Sequence, residues 1–129
     1  MQYINPDDAK ELVDFYRTWK SNYPDQTRGK GKDKITTSGL KPPTLQSLRT
    51  LYQYATNGDI PGENITAMLQ NELYATFNTS PLDELDFIPS TIQYITTYLP
   101  CEAWGNPDKY GKWINNKKRG KIGKPTDFY

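Results

Sequence analysis

Apolar residues recur at helical spacing over most of this chain. From about Pro6 to Asn22, the positions Ala9, Leu12, Val13, Tyr16, Trp19 and Tyr23 fall three or four apart and form one stripe. Asn5 can cap that helix, Pro6 suits its first position, and Asp7 and Asp8 favour the positive end of its dipole. Pro24 stops it. A second helix is predicted from a Thr44 cap to about Asn57, with Leu45, Leu48, Leu51, Tyr52 and Ala55 as its stripe and Asn57-Gly58 as its stop. A third is predicted from about Glu63 to Phe77, carrying Ile65, Met68, Leu69, Leu73, Thr76 and Phe77 on one side.

Ser80-Pro81-Leu82-Asp83 reads as a further start, with a capping serine, proline at the first position and an acid three residues after the cap. Leu82, Leu85, Ile88, Ile92, Ile95 and Leu99 keep helical spacing across Pro89, which predicts one kinked helix or two short ones. Residues 91–98 are β-branched and aromatic, so a strand there is the alternative. A short helix is expected around Asp108 to Lys118, with an extended end beyond it. The fold class expected is therefore all-α: a small bundle of four to five helices with basic, glycine-rich arms.

Two stretches break the pattern. Residues 25–43 alternate glycine and lysine with no helical or strand period, so a linker arm is expected between an N-terminal helix (1–24) and a helical body (44–104). Residues 105–129 form a basic, aromatic tail. At 129 residues the chain is expected to be one domain, or one domain with appendages, long enough to bury a core without disulfides or metals.

Charge sharpens this division. The net charge is only +1, yet residues 50–104 hold seven acids and neither lysine nor arginine. All sixteen basic residues lie in the flanks, nine of them in residues 1–49 and seven in residues 105–129. Such segregation speaks to partners rather than to fold.

Candidate chemistry is thin. Histidine is absent, which removes the commonest general base and metal ligand, together with the usual serine or cysteine triads. The single cysteine, Cys101, can form no intrachain bridge and sits beside Glu102, an acid that does not lower a thiol pKa. A reducing, cytoplasmic setting is expected: the start MQYINPDDAK lacks an apolar run, and no window is apolar enough to span a membrane. Asp7, Glu11 and Asp14 share a helical face that a divalent cation would need, but acids in a first helical turn are explained by the dipole, as are Asp83, Glu84 and Asp86. GKGK and GKIGK do not match a phosphate loop. No catalytic residue, metal or cofactor is expected.

The basic arms remain. Arg28, Lys30, Lys32 and Lys34 crowd the first, and Lys109, Lys112, Lys117, Lys118, Arg119, Lys121 and Lys124 the second. Lysines on glycine-rich backbone can follow a polyanion and release its counterions, and Tyr110 and Trp113 offer flat faces to unpaired bases. Against this, basic tails also serve solubility, and Tyr110 and Trp113 can equally dock the tail on the core. The expected function is non-enzymatic binding of nucleic acid, DNA or RNA, in a regulatory, packaging or assembly role. The alternative is a protein-interaction module or inhibitor working through the acidic helical body, including a homo-oligomer in which the arm of one copy meets the body of the next.

Overall fold

The computed structural model describes residues 2–122, with side chains as far as Lys118. Six α-helices and one two-stranded hairpin make up these residues: α1 (Ala9–Asn22), β1 (Gln26–Arg28), β2 (Ile35–Thr37), α2 (Leu45–Asn57), α3 (Glu63–Leu69), α4 (Leu73–Thr79), α5 (Ile88–Tyr98) and α6 (Pro107–Ile122). The small, mostly helical bundle expected from the apolar spacing is what forms. Among the described residues no helix is long and apolar enough to cross a membrane.

α1 starts three residues later than the proline suggested. Residues 5–8 close a turn, with the Asp7 amide donating to the Asn5 side chain at 3.0 Å and the Asp8 amide to the Asn5 carbonyl at 3.1 Å. Asp8 then caps the helix by accepting from the amides of Lys10 at 3.0 Å and Glu11 at 3.2 Å. One carboxylate satisfying two orphan amides is a stronger start signal than the prolyl ring. The buried stripe centres on Phe15 and Trp19, flanked by half-buried Leu12, Tyr16 and Tyr23, whereas Val13 and Ala9 face solvent. Phe15 is thus the core position that the predicted stripe left out.

α2 follows its sequence signals. The Thr44 hydroxyl accepts from the Ser47 amide at 3.1 Å, and Gly58 turns left-handed at φ 71° and bonds back to the Tyr54 carbonyl at 3.0 Å. The predicted third helix, by contrast, is two. Asn71 adopts φ 61°, and the Glu72 amide turns back to the Ala67 carbonyl at 2.9 Å, so the axis changes between α3 and α4. Asparagine tolerates this conformation better than most residues. Ile65, Met68, Leu69 and Thr76 are buried as expected, but Leu73 and Phe77 are carried out to the surface.

The next segment also departs from expectation. Ser80 closes α4 by donating to the Thr76 carbonyl at 2.6 Å instead of capping a new helix, and Leu82–Phe87 is a 3-10 turn. α5 begins at Ile88, so Pro89 falls in its first turn, where a missing N–H costs nothing and no kink is needed. Residues 91–98 are helical, which settles the strand alternative: Thr91 bonds its hydroxyl back to the Phe87 carbonyl at 2.7 Å, and Tyr94, Ile95 and Tyr98 line the core. α1, α2, α3, α5 and α6 all supply buried apolar side chains, while α4 buries only Thr76.

Tyrosines tie distant segments together inside this core. The Tyr94 hydroxyl accepts from the Ile4 amide at 3.1 Å, and the Tyr54 hydroxyl donates to the Ala103 carbonyl at 2.5 Å. Burial pushes both phenols well above their ordinary range near 10, the neighbouring Tyr110 adding to the effect at Tyr54.

Candidate nucleic-acid interface

The stretch expected to be an unstructured linker forms a hairpin. Gln26 pairs with Thr37, Thr27 with Thr36 and Arg28 with Ile35 in an antiparallel ladder. The connection is a tight 3-10 turn in which the Asp33 amide meets the Lys30 carbonyl at 3.2 Å and the Lys34 amide the Gly31 carbonyl at 3.3 Å. Gly29 makes this possible. Its φ is 87°, and a Cβ there would run into the backbone carbonyl of Asp33. The glycines are therefore turn chemistry, and the short β-branched flank Ile35-Thr36-Thr37 is the strand signal beside them.

This geometry presents the first arm as one unit. Arg28, Lys30, Lys32 and Lys34 are all exposed, and among the described residues none is engaged in an ion pair. Asp33 is the one acid in the hairpin. The base of the hairpin is fixed to the body: the Trp19 indole N–H donates to the Leu40 carbonyl at 2.7 Å, and the Asp25 carboxylate accepts from the Gly39 amide at 2.7 Å.

The second arm is organised differently. α6 extends from Pro107 to Ile122, longer than the helix expected around 108–118. Asn106 opens it by accepting from the Lys109 amide at 2.8 Å. Tyr110 is buried, its ring stacked on Tyr54 at 5.5 Å between centroids and 13° between planes, with its hydroxyl 3.1 Å from that of Thr66. The Trp113 indole donates to the Tyr54 carbonyl at 3.2 Å, and Lys117 lies over its ring at 4.6 Å. Both aromatic residues therefore dock the helix on the body, Tyr110 with one ring face on Tyr54 and half-buried Trp113 with one face under Lys117. Lys112 pairs with Asp108 at 3.0 Å, and the Lys109 ammonium reaches the Cys101 carbonyl at 3.4 Å. Lys118 is exposed. Arg119 and Lys121 lie on the last turn of α6 with side chains beyond those described, and Lys124 lies outside the described residues.

The fold does not merge the two arms. The hairpin leads into the start of α2, whereas α6 crosses its far end, where a Cβ on Gly58 would lie 2.9 Å from the Ile114 carbonyl oxygen. The thirteen residues of α2 set these anchor points roughly 20 Å apart. Of the two, the hairpin alone presents all of its described cations free of carboxylates.

Three of the six acids considered from the sequence have side-chain partners. Asp7 pairs with Arg49 at 3.3 Å, Asp14 lies 4.0 Å from Arg17, and Glu84 accepts from the Asn64 side-chain Nδ2 at 3.1 Å. Among the described residues no three His, Cys, Asp or Glu side chains converge as a metal site. One surface was not foreseen: Leu73, Tyr74 and Phe77 of α4, with Leu82 just beyond, stand 65%, 83%, 51% and 88% exposed. The break at Asn71 creates it, and Asn71 beside Glu72 was the signal available. Comparison with protein-family models, with curated proteins and with solved structures yields no match for this chain.

Proposed function

We propose that this is a non-enzymatic nucleic-acid-binding protein that contacts phosphates through its basic hairpin, with the end of α6 as a secondary contact. The observation that carries the reading is the hairpin itself: four cations on a projecting, glycine-turned ribbon, each exposed and none neutralised by a described carboxylate. Such a ribbon meets a polyanion without first breaking an internal ion pair, so the gain from counterion release is undiminished. A regulatory, packaging or assembly role in the cytoplasm is consistent with it, and the exposed, unpaired Cys101 fits a reducing compartment.

The test is a salt titration of oligonucleotide binding by fluorescence anisotropy. Replacing Arg28, Lys30, Lys32 and Lys34 by glutamine should make the slope of log affinity against log salt shallower by about 3, at roughly 0.7–0.9 per phosphate contact. No retention of either DNA or RNA at low salt, or an unchanged slope in the variant, overturns the reading.

A second reading rests on the α4 surface. Contiguous exposed apolar side chains mark sites of association, and this patch lies in the segment that has acids and no bases. A protein with a basic, apolar surface, a second copy of this chain included, is its complement. Tyr74→Ser with Leu82→Ser should leave stability within about 0.5 kcal/mol of the parent and abolish any self-association seen by light scattering. Unchanged association would remove α4 from consideration.

A further inference from the structure

Where the hairpin meets α1, the chain encloses a groove of about 390 Å³. This falls within the roughly 300–1,000 Å³ of small-ligand sites. Three aromatic residues of α1 and its end line one wall, Tyr16 and Tyr23 half-buried and Trp19 buried, with Leu40 and Pro42 among the residues opposite. Trp19 is held rigidly, its N–H committed to Leu40 and its ring 4.7 Å from that of Tyr23. Tyr23 is thereby held in place before any ligand arrives. The rim is cationic, with Lys20 on one side and Lys41 on the other, both exposed. The acid on the lining, Asp25, is engaged with the Gly39 amide. From Lys20 to Lys41 the chain holds six bases against two acids, and the hairpin that carries four of these bases leaves from the groove's own lining at Asp25 and returns to it at Ser38.

We propose that the groove receives an unpaired nucleobase of a single-stranded polynucleotide, stacked on Tyr23 and Tyr16, with the flanking phosphates on Lys20, Lys41 and the hairpin. The proposal rests on the nucleic-acid reading above and adds to it a strand preference and a base site. The physical ground is the combination of surfaces. A duplex keeps its base faces stacked inside and offers only phosphates and edges, for which exposed lysines suffice. An aromatic slot bordered by cations matches a splayed base with its backbone on either side. A purely apolar partner would gain nothing from Lys20 and Lys41, and would have to desolvate them.

The experiment compares one oligonucleotide of about 12 nucleotides as a single strand and as a duplex, with the full chain, by fluorescence anisotropy. Tyr23→Leu keeps apolar volume and removes the stacking face. It is expected to weaken single-strand binding roughly 5- to 150-fold, the worth of one stacked base, and to leave duplex binding unchanged, whereas Tyr23→Trp retains both. Equal losses on the two forms, or none on the single strand, overturn the groove as a base site; the glutamine hairpin variant, weakening both forms, then still supports the broader reading. Failure of the parent protein to bind either form at low salt ends both together. A free mononucleotide that binds as tightly as the strand also overturns the proposal, since it makes the groove a small-molecule site. If Tyr23→Leu fails to fold, Lys20→Gln with Lys41→Gln, at exposed positions, replaces it. That variant must lose several-fold more affinity for the single strand than for the duplex, or the proposal fails.

Discussion

Gly39→Ala should be strongly destabilising, because among the described glycines Gly39 has the closest backbone neighbour to a Cβ. Gly39 does not need a left-handed backbone; it needs to have no side chain. A Cβ there would collide with the Tyr23 carbonyl oxygen and lie 2.9 Å from the carbonyl carbons of both Tyr23 and Pro24. All of these are backbone atoms that cannot rotate away, so the segment leaving the hairpin must lift from the end of α1. That forced shift costs about 1–3 kcal/mol as overpacking, and separating Leu40 from the buried Trp19 indole adds about 1 kcal/mol. The sum, about 2–4 kcal/mol, is a large share of the roughly 5–15 kcal/mol that stabilises an ordinary domain. It corresponds to a fall in melting temperature of about 8–16 °C for a chain of this size. Urea denaturation followed by tryptophan fluorescence measures it. Gly111→Ala is the matched control: it lies within α6, its Cβ would meet nothing within 4 Å, and it should stabilise by about 0.5–1 kcal/mol. If the two variants shift the midpoint alike, or Gly39→Ala leaves it in place, the account of how the hairpin is anchored is wrong.

The buried phenols give two further expected outcomes. Tyr54→Phe strands the Ala103 carbonyl in the core and should cost about 1–3 kcal/mol by denaturant titration; Tyr52→Phe, whose hydroxyl makes no described hydrogen bond, should cost nothing measurable. Stability should also fall at alkaline pH. Because folding raises the pKa of Tyr54, Tyr94 and Tyr98, chiefly through burial, the unfolded chain releases protons first; stability is full below about pH 10 and declines as the pH rises beyond it. A melting temperature that stays flat from pH 9 to pH 11 would contradict this.

The spacing of apolar residues carried the bundle because that signal is set locally and read by burial. α2 shows this most clearly at its ends, where a threonine start and a glycine stop agree, although its predicted stripe took in the exposed Leu45 and left out the buried Tyr54. Where two local signals competed, spacing alone could not decide. Asp8 prevailed over Pro6 for the start of α1, and Asn71 broke a stripe that periodicity would have continued to Phe77. The hairpin was hidden for another reason: its strands are three residues each and wholly exposed, so no alternation of apolar and polar positions exists to mark them. The basic residues were legible as a class, but their environment was not. Only the packed structure distinguishes the free lysines of the hairpin from Lys112, held by Asp108, and from Tyr110, turned into the core. The groove depends on Trp19 meeting Leu40, and Gly39 packing on the Tyr23 backbone, across a folded hairpin, which no stretch of sequence announces.

The contacts of Phe15 have a consequence for how the chain is made. Its ring packs edge-on against Tyr94 at 5.5 Å and Tyr98 at 5.4 Å, and the amide of Ile4 waits for the same Tyr94 hydroxyl. During synthesis, α1 leaves the ribosome nearly eighty residues ahead of these partners. At about 5–20 residues per second that interval is roughly 4–16 s. Trp19 meets Leu40 long before that interval ends, whereas the Phe15 ring and the Ile4 amide wait for α5, so α1 is secured in two stages set by when each partner is made.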